Sequence, residues 1–431
     1  MQLRKRVLTL CVLALVVALC QGAVLAQEPV TITLWHGWTG AWTQVINDIV
    51  EMFEASHPHI KVKPLVVPYD ERDTKLMAAI AAGDPPDIIY TMGNIVSYAA
   101  RDAIVPLDKL MTPDELQVYK DYQYPLYQAN EYKGHIWSFH GFVDAFALYY
   151  NKNHFREVGL DPDAPPTDIA TLDAYAEKLT TMNAAGQIDR AGFLPDDLWH
   201  WADVFGGSWL DGDKITAAHP GNIAAAEWFA SYSRKYDVRK IVAFDSSLAT
   251  ERAQALDPFI SEKFSMQRMG QWKILDIDRY APEDFDYGVV PLPAPPGGRK
   301  NSMIVPSGYG LIPKNAKHPE AALEYLLYWV GKGHEEDRAK IFTLGGWFPL
   351  SDEVTKEPIY QDYIQRYPHF QVFSDLLRKT DPTGFATPVE LFYIDRINNA
   401  RDRIRLLQGD PKAILERVNS EVTAELDKLN K

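Results

Sequence analysis

The chain has 431 residues, of which 12% are aromatic, and a formal net charge of −14 at pH 7. This acidic balance disfavours a nucleic-acid partner and an anionic membrane surface. The length exceeds what a single domain usually needs, so we expect two domains. Aromatic side chains beyond the needs of a core are candidate binding surface.

Residues 1–26 have the pattern of an export leader. A basic stretch at residues 4–6 precedes an apolar run at residues 7–19, and small residues lead to Ala26, after which we predict cleavage. The apolar run is shorter than the roughly 20 residues of a spanning helix, which argues against the alternative of an uncleaved membrane anchor. Cleavage removes three positive charges and no negative one, so the mature chain would carry −17.

Both cysteines, Cys11 and Cys20, lie within this leader. The mature chain is therefore expected to fold without a disulfide and without thiol chemistry, although it is exported. Lipidation at Cys20 is an open alternative to cleavage after Ala26, although Leu19 is larger than the residue that lipoprotein processing prefers. We expect the protein in the periplasm or on the outer face of the cytoplasmic membrane.

The first predicted elements alternate between strands and helices. A strand at Val30–Leu34 opens into the loop Trp35–Gly40, and the apolar residues from Trp42 to Phe53 then recur at helical spacing. A second strand, a second helix and a third, short strand follow at residues 60–67, 73–82 and 87–90. Such alternation with short links predicts a parallel sheet with helices on its faces.

A hairpin turn at Lys133-Gly134 and a long strand at Phe142–Tyr150 come next. Two strand-like segments, Tyr287–Val290 and Met303–Val305, flank the Pro/Gly-rich loop Pro291–Gly298. Helical patterns dominate the rest, at Leu172–Met182, Ile223–Tyr236, Pro319–Val330 and Ile394–Leu407. No change in composition divides the chain into halves, so we expect it to cross between its domains more than once.

Motifs of catalysis are missing from the sequence. It contains no Gly-x-Ser-x-Gly elbow, no nucleotide-binding loop and no His-Glu-x-x-His helix, and we expect no metal and no cofactor. Paired acids could serve a glycosidase, but each pair is explained more simply by a turn or a helix start. The pairs are Asp196-Asp197, Asp211/Asp213 and Asp284/Asp286.

Several tryptophans lie in loops beside glycine, where stacking on a ligand and packing in the core are equally open. A sugar ring has a flat C–H face that packs on an indole, while its hydroxyl groups need polar partners. Trp42, Trp228 and Trp329 lie instead in helical patterns, which favours core packing. The loop tryptophans are Trp38, Trp199, Trp272 and Trp347.

Asp144 interrupts the apolar strand Phe142–Tyr150. Burial of a carboxylate without partners is costly, so polar company is expected in any case. The residue is either a satisfied structural acid or a rigidly held acceptor for ligand hydroxyl groups.

Nine short motifs, in order, resemble those of the periplasmic solute-binding proteins of ABC importers. The resemblance is to the carbohydrate-binding group that includes the maltose- and glycerol-phosphate-binding proteins, and it covers nearly the whole mature chain. The motifs are Ile32–His36, Ala81–Ile89, Tyr132–Gly134, Leu148–Lys152, Pro166-Thr167, Gly206-Gly207, Met269–Trp272, Ser307–Gly310 and Gly345–Pro349.

This resemblance implies an α/β fold of two lobes, each a mainly parallel sheet flanked by helices, with the ligand cleft at the hinge. Lobe I would comprise residues 27–142 and 305–343, and lobe II residues 143–304 and 344–431. Hinges would fall near Val143, near Val305 and around Gly345, where such proteins close on a ligand.

The resemblance also implies ligand-binding positions. One departure is Gly93-Asn94, where the maltose binders of the family carry an Asp-Arg pair in the loop after the third strand; a maltose ligand is therefore disfavoured. The implied positions are Trp38, Thr39, Asp70, Arg72, Thr91, Asn94, Asp144, Trp199, Trp272, Gly308, Tyr309, Trp347, Phe392 and Arg396.

The expected function is capture of a sugar or oligosaccharide outside the membrane and its delivery to the permease of an ABC importer. No catalysis is expected, and we expect a monomer. A phosphorylated polyol is the alternative ligand, for which Arg72, Arg299 or Arg396 would supply positive charge. A glycan hydrolase is the rival from another class, and a sensory ectodomain is a third interpretation.

Overall fold

The computed structural model describes residues 28–429, except for residues 92, 94, 123–129, 254–256, 301–303, 331, 350 and 380–385. The leader predicted at residues 1–26, with both cysteines, lies outside this part. Among the described residues, no helix combines the length and apolar character needed to cross a membrane.

Strands and helices alternate in the first hundred residues, as the sequence predicts. In chain order, the strands are β1 (Val30–His36), β2 (Ile60–Val66), β3 (Ile88–Thr91), β4 (Glu131–Tyr132), β5 (His135–Ile136), β6 (Phe139–Asn151), β7 (Thr181–Met182), β8 (Ile188–Arg190), β9 (Leu210–Asp211), β10 (Lys214–Ile215), β11 (Met266–Gly270), β12 (Tyr287–Val290) and β13 (Ile304–Leu311).

Helices cover these strands and make up most of the last hundred residues. They are α1 (Ala41–Ser56), α2 (Tyr69–Ala82), α3 (Ile95–Ala100), α4 (Pro113–Tyr122), α5 (Lys152–Glu157), α6 (Ile169–Leu179), α7 (Leu198–Val204), α8 (Pro220–Tyr236), α9 (Val238–Ala253), α10 (Lys273–Tyr280), α11 (Pro319–Val330), α12 (Glu335–Gly345), α13 (Asp352–Thr355), α14 (Pro358–Arg366), α15 (Phe370–Lys379), α16 (Glu390–Arg405) and α17 (Pro411–Leu429). A 3₁₀ turn lies at Leu107–Lys109.

Helix boundaries follow local capping. The apolar face predicted for the first helix is confirmed, because the buried residues of α1 run from Val45 to Phe53 at helical spacing. Helix α6 begins earlier than its apolar pattern, since the side chain of Asp168 accepts a hydrogen bond from the Thr171 N–H at 2.8 Å and caps the first turn. The same helix ends at Leu179, and the following residues form the short strand β7.

The main sheet has the strand order β11-β6-β13-β3-β1-β2, with β12 also paired to β6. Strand β1 is parallel to β2 and β3, as expected for the alternating segment. The strands around β6 differ from the expected mainly parallel sheet, because β11, β12 and β13 all run antiparallel to it. β11 and β12, which are linked through α10, run in the same direction, and β6 runs antiparallel to both.

Strand β6 connects the two halves of this sheet. Its residues up to Ala145 pair with β13, whereas Phe146 and the residues after it pair with β11 and β12. At the point of change, Val143 also bridges to Phe348, whose carbonyl accepts the Val143 N–H at 3.3 Å. Strand β6, strand β13 and the segment around Phe348 therefore lie side by side where the sequence predicts hinges, and we call them the crossing segments. The lobe boundaries proposed above stay a prediction.

Most of the buried apolar side chains form one continuous core along both halves of the sheet. A smaller cluster lies behind β3 and packs α2 and α3 against the sheet. Its fully buried members include Leu76, Ile89, Tyr98 and Leu311. The carboxyl ends of β1 and β3 are thereby fixed next to the crossing strands.

Candidate functional site

Trp38 and Trp347 lie together in an aromatic cluster beside the crossing point. The Trp38 ring centroid is 5.6 Å from that of Trp347, 5.7 Å from Tyr90 and 6.3 Å from Phe142. Trp38 is 9% exposed and Trp347 only 2%. Most of both indoles is therefore engaged in packing, and Trp38 offers at most an edge to the cleft.

Glycines produce this arrangement. Gly346 ends α12 in the left-handed region at φ 60°, which turns the chain back so that Trp347 enters the core. Gly308, at φ 62°, lies against Phe142, and a Cβ there would overlap the Phe142 ring. Thr39, next to Trp38, is exposed, and its carbonyl accepts the Trp42 N–H at 3.2 Å.

A buried arginine lies behind the loop that follows β3. Arg72 Nη2 donates to Thr91 Oγ1 at 3.0 Å, and the Thr91 hydroxyl donates to the Gly93 carbonyl at 3.3 Å. The predicted positions Arg72 and Thr91 are thus in direct contact. Asn94 and the side chain of Asp70 lie outside the described residues.

Tyr309 joins the same wall from β13. It pairs in register with Thr91 on one side and with His140 on the other, and its ring lies 4.4 Å from the His140 ring. Burial, with a smaller contribution from the charge of Glu390, raises the pKa of Tyr309. The tyrosine is therefore neutral at physiological pH and able to donate a hydrogen bond.

Asp144 is buried on β6, and its carboxylate has the hydrogen-bonding partner that burial requires. Its Oδ1 accepts from Gln271 Nε2 at 2.8 Å, and Gln271 Oε1 accepts the Ala145 N–H at 2.9 Å. Because Gln271 precedes Trp272, this pair links the crossing strand to the segment that carries the predicted stacking tryptophan.

Trp199 and Trp272 belong to what we call the aromatic strip, the residues Trp199, His200, Phe146 and Trp272. Successive ring centroids along the strip are 4.4, 5.0 and 5.6 Å apart. Both tryptophans are partly exposed. The strip differs in this respect from the enclosed cluster around Trp347.

Sequence reasoning missed Phe146 and His200. Side chains two residues apart on a strand share a face, so the alternation from Asp144 to Phe146 was the available indication. His200 follows Trp199 in the first turn of α7, where Asp197 accepts the N–H groups of both residues.

Trp272 lies directly against the backbone of Gly270. A Cβ on Gly270 would overlap the six-membered ring of the indole. The absence of a side chain at this position therefore sets where the Trp272 ring lies.

Paired charges lie beneath the strip. The Arg268 guanidinium is 4.6 Å from the Phe146 centroid, and its Nη2 is 2.7 Å from Asp196 and 3.8 Å from Asp197. Although burial opposes the shift, His200 and Arg268 hold the pKa of Asp197 well below its usual range. The cation under the strip is thus matched by acids of the same chain. Of the paired acids, Asp197 caps the start of α7 and Asp196 forms an ion pair with Arg268.

Phe392 and Arg396 lie together on α16, with the guanidinium 5.0 Å from the Phe392 ring centroid. Arg396 forms ion pairs with Asp395 and, at 3.7 Å, with Glu421 of α17. It lines a groove of about 220 Å³ between the two helices. These contacts of Arg396 lie on α16 and α17, and its ligand role stays a prediction.

No cluster of three or more His, Cys, Asp or Glu side chains suited to a metal ion occurs in the part of the chain that the structure describes. The side chains that meet at the crossing include rings, hydrogen-bonding groups, the Asp144 carboxylate held by Gln271, and the Arg268–Asp196 ion pair. They are suited to holding an uncharged ligand with apolar faces and hydroxyl groups.

Two α/β halves joined by three adjacent segments, with rings and a buried acid at the junction, define a two-lobed ligand-binding protein. The sequence model of the bacterial extracellular solute-binding protein family matches residues 36–335. The chain belongs to this family, which confirms the resemblance to the solute-binding proteins of ABC importers.

Relatives and solved structures agree with this assignment. The sn-glycerol-3-phosphate-binding periplasmic protein UgpB of Salmonella paratyphi A is 22% identical over 389 residues, covering 86% of each chain. The structure of CpMnBP1 with mannotriose bound is 26% identical, covers 91% of this chain and 100% of its own, and superposes with a TM-score of 0.79. UgpB from Mycobacterium tuberculosis in complex with glycerophosphocholine has a TM-score of 0.74 at 19% identity and covers 93% of this chain and 99% of its own.

Proposed function

We propose that the protein captures a sugar or oligosaccharide outside the membrane and hands it to the permease of an ABC importer. The observation that carries the proposal is the aromatic strip, whose partly exposed tryptophans flank Phe146 close to the buried acid Asp144. The indole faces would pack on the C–H faces of the sugar, and Asp144 would accept from its hydroxyl groups.

The crossing segments explain how capture and release would work. Val143 bonds to Phe348, and its neighbour Asp144 pairs in register with Val305, so small rotations there would move one half of the sheet relative to the other. Closure of this kind is driven by the ligand's preference for the closed form. No bond of the sugar is broken, and a monomer is sufficient for this role.

The mannotriose and mannobiose complexes of CpMnBP1 support an oligosaccharide ligand, at 26% and 25% identity to this chain. Relatives named as glycerol-phosphate-binding proteins support the alternative, a phosphorylated polyol. A phosphate requires cationic donors in the cleft. Of the cations named for this ligand, Arg299 is paired with Asp203 and Arg396 with Asp395. Arg72 is buried and donates to Thr91 Oγ1, so the phosphorylated ligand would rest on this arginine.

Calorimetry against mannobiose, mannotriose, maltotriose, sn-glycerol-3-phosphate and glycerophosphocholine tests the proposal. We expect a sugar to bind with a dissociation constant of about 1 µM or lower, near −8 kcal/mol. Trp272→Ala should weaken that affinity at least about tenfold, or 1.4 kcal/mol. Tyr280→Ala is the matched control, because Tyr280 is an exposed ring at the far end of α10, the helix that begins directly after Trp272.

Binding of only the phosphorylated ligands, with unchanged affinity in Trp272→Ala, would establish the alternative. Turnover of aryl glycosides would establish the hydrolase. Mass spectrometry of the exported protein decides whether it begins at residue 27 or carries a lipid on Cys20.

A further inference from the structure

Ser97 is a fully buried polar residue where α3 meets the start of α16. Its hydroxyl donates to the Pro388 carbonyl at 3.1 Å and accepts the Leu391 N–H at 3.3 Å. Pro388 lies just before α16, and Leu391 stands in the first turn of that helix. One hydroxyl group therefore makes two hydrogen bonds to a segment that lies 291 to 294 positions further along the chain.

Helix α3 is fixed to the half of the sheet that contains β3. Tyr98, next to Ser97, is fully buried in the cluster that packs α2 and α3 against the sheet. The Tyr98 hydroxyl also donates to the Asp73 carboxylate of α2. A movement of the β3 half would therefore carry Ser97 with it.

Helix α16 belongs to the half of the sheet that contains β11 and β12. It packs against α7, α8 and α17, and α7 carries two residues of the aromatic strip. The Tyr393 hydroxyl of α16 donates to the Trp209 carbonyl at 2.8 Å, and the Trp209 indole N–H donates to the Trp199 carbonyl at 3.1 Å. The start of α16 is thus tied to the backbone that supports the strip, and Ser97 joins this support to the other half.

The join at Ser97 lies outside the crossing segments. Strand β6 runs continuously from one half to the other, whereas α3 and α16 meet through noncovalent contacts. Separation of α3 from α16 would break both hydrogen bonds of Ser97 and expose its hydroxyl and the Pro388 carbonyl to water. Because a ligand held between the halves favours the arrangement in which they are joined, bonds that exist in that arrangement add to the affinity.

We propose that Ser97 is a positioning residue for ligand capture, whose hydroxyl holds α3 against α16 and stabilises the arrangement in which the two halves face each other across the ligand. The proposal deepens the proposed function and rests on it for the ligand. Because Ser97 is fully buried, it acts through α16 and not by contact with the sugar.

Calorimetry with mannotriose tests this role in Ser97→Ala, which removes both hydrogen bonds between the halves. We expect the dissociation constant to rise about fivefold or more, because the joined arrangement loses part of its population. Ser265→Ala is the matched control. The Ser265 hydroxyl is also buried, but its partner is the His154 ring, 3.1 Å away in the same half. This variant should have a lower melting temperature and bind as wild type.

Spin-label distances give a readout that a purely structural role would not change. Both native cysteines lie in the predicted leader, so Glu51→Cys on α1 and Ser420→Cys on α17 place one label on each half. In the free protein, Ser97→Ala should shift the distribution of distances away from that of the wild type, and Ser265→Ala should not. Saturating mannotriose should bring all three proteins to the same distance.

An unchanged dissociation constant in Ser97→Ala, or unchanged distances in its free form, would overturn the proposal. If the wild type binds no sugar, the proposed function fails. The distances in the free protein would then still decide whether Ser97 joins the two halves.

Discussion

The indole of Trp347 lies flat on the ring of Phe142, with centroids 4.5 Å apart and planes 4° from parallel. Phe142 belongs to β6 and Trp347 follows α12, so the stack joins two of the three crossing segments. The hydrogen bond from Val143 to Phe348 lies next to it. Packing and backbone pairing therefore act at the same point of the crossing.

Trp347→Ala should lower the free energy of unfolding by about 3–5 kcal/mol, the range for a large buried aromatic side chain. Trp199→Ala should cost clearly less, because Trp199 is only partly buried. Urea unfolding followed by circular dichroism measures both. A Trp347→Ala protein of normal stability that no longer binds sugar would show that Trp347 acts on the ligand and not in the core.

Gly270→Ala should weaken sugar binding about as much as Trp272→Ala, at least about tenfold. The added methyl group would overlap the Trp272 ring and push the indole off the backbone. Gly288→Ala on β12 is the matched control: its methyl group would crowd the Tyr150 ring of β6, away from the strip. It should lower the melting temperature and leave affinity unchanged. If Gly270→Ala and Trp272→Ala bind sugar as tightly as Gly288→Ala, Trp272 does not belong to the binding site.

Much of the fold could be predicted because its determinants are local. The apolar spacing of α1, the Lys133-Gly134 turn between β4 and β5, and the bounds of β12 all follow from residues within one element. The convergence of Trp38 with Trp347 could not be predicted, since it depends on contacts between residues hundreds of positions apart.

Gln271→Ala should destabilise the protein by about 1–3 kcal/mol, because it removes a partner from the buried Asp144 carboxylate and from the Ala145 N–H. Asp144→Asn keeps the volume but loses charge, and should reduce sugar affinity more than stability. Thermal unfolding with and without mannotriose separates the two effects. If both variants lose stability and neither loses affinity, Asp144 has only a structural role.

The stability of the protein should fall as the pH drops from about 6.5 to about 4, partly through His36. This histidine is buried at the end of β1, with its ring 5.8 Å from that of Trp38. Burial lowers the pKa of His36 from 6.5 to about 4. In that window the unfolded chain binds a proton that the folded protein does not, so unfolding is favoured by up to about 3 kcal/mol. Burial, with Arg190, lowers the pKa of His154 to about 4 in the same direction.

His36→Phe removes one of these titrations and should flatten the dependence of unfolding free energy on pH between 4 and 6.5. Unfolding by urea at pH 4.5, 5.5 and 7 measures the slope, with Tyr280→Phe as a substitution that does not titrate in this range. A slope equal to that of the wild type would mean that His36 is protonated in the folded protein. The neighbouring Trp38 provides a second check, because protonation of His36 beside its indole should quench tryptophan fluorescence of the folded wild type and not of His36→Phe.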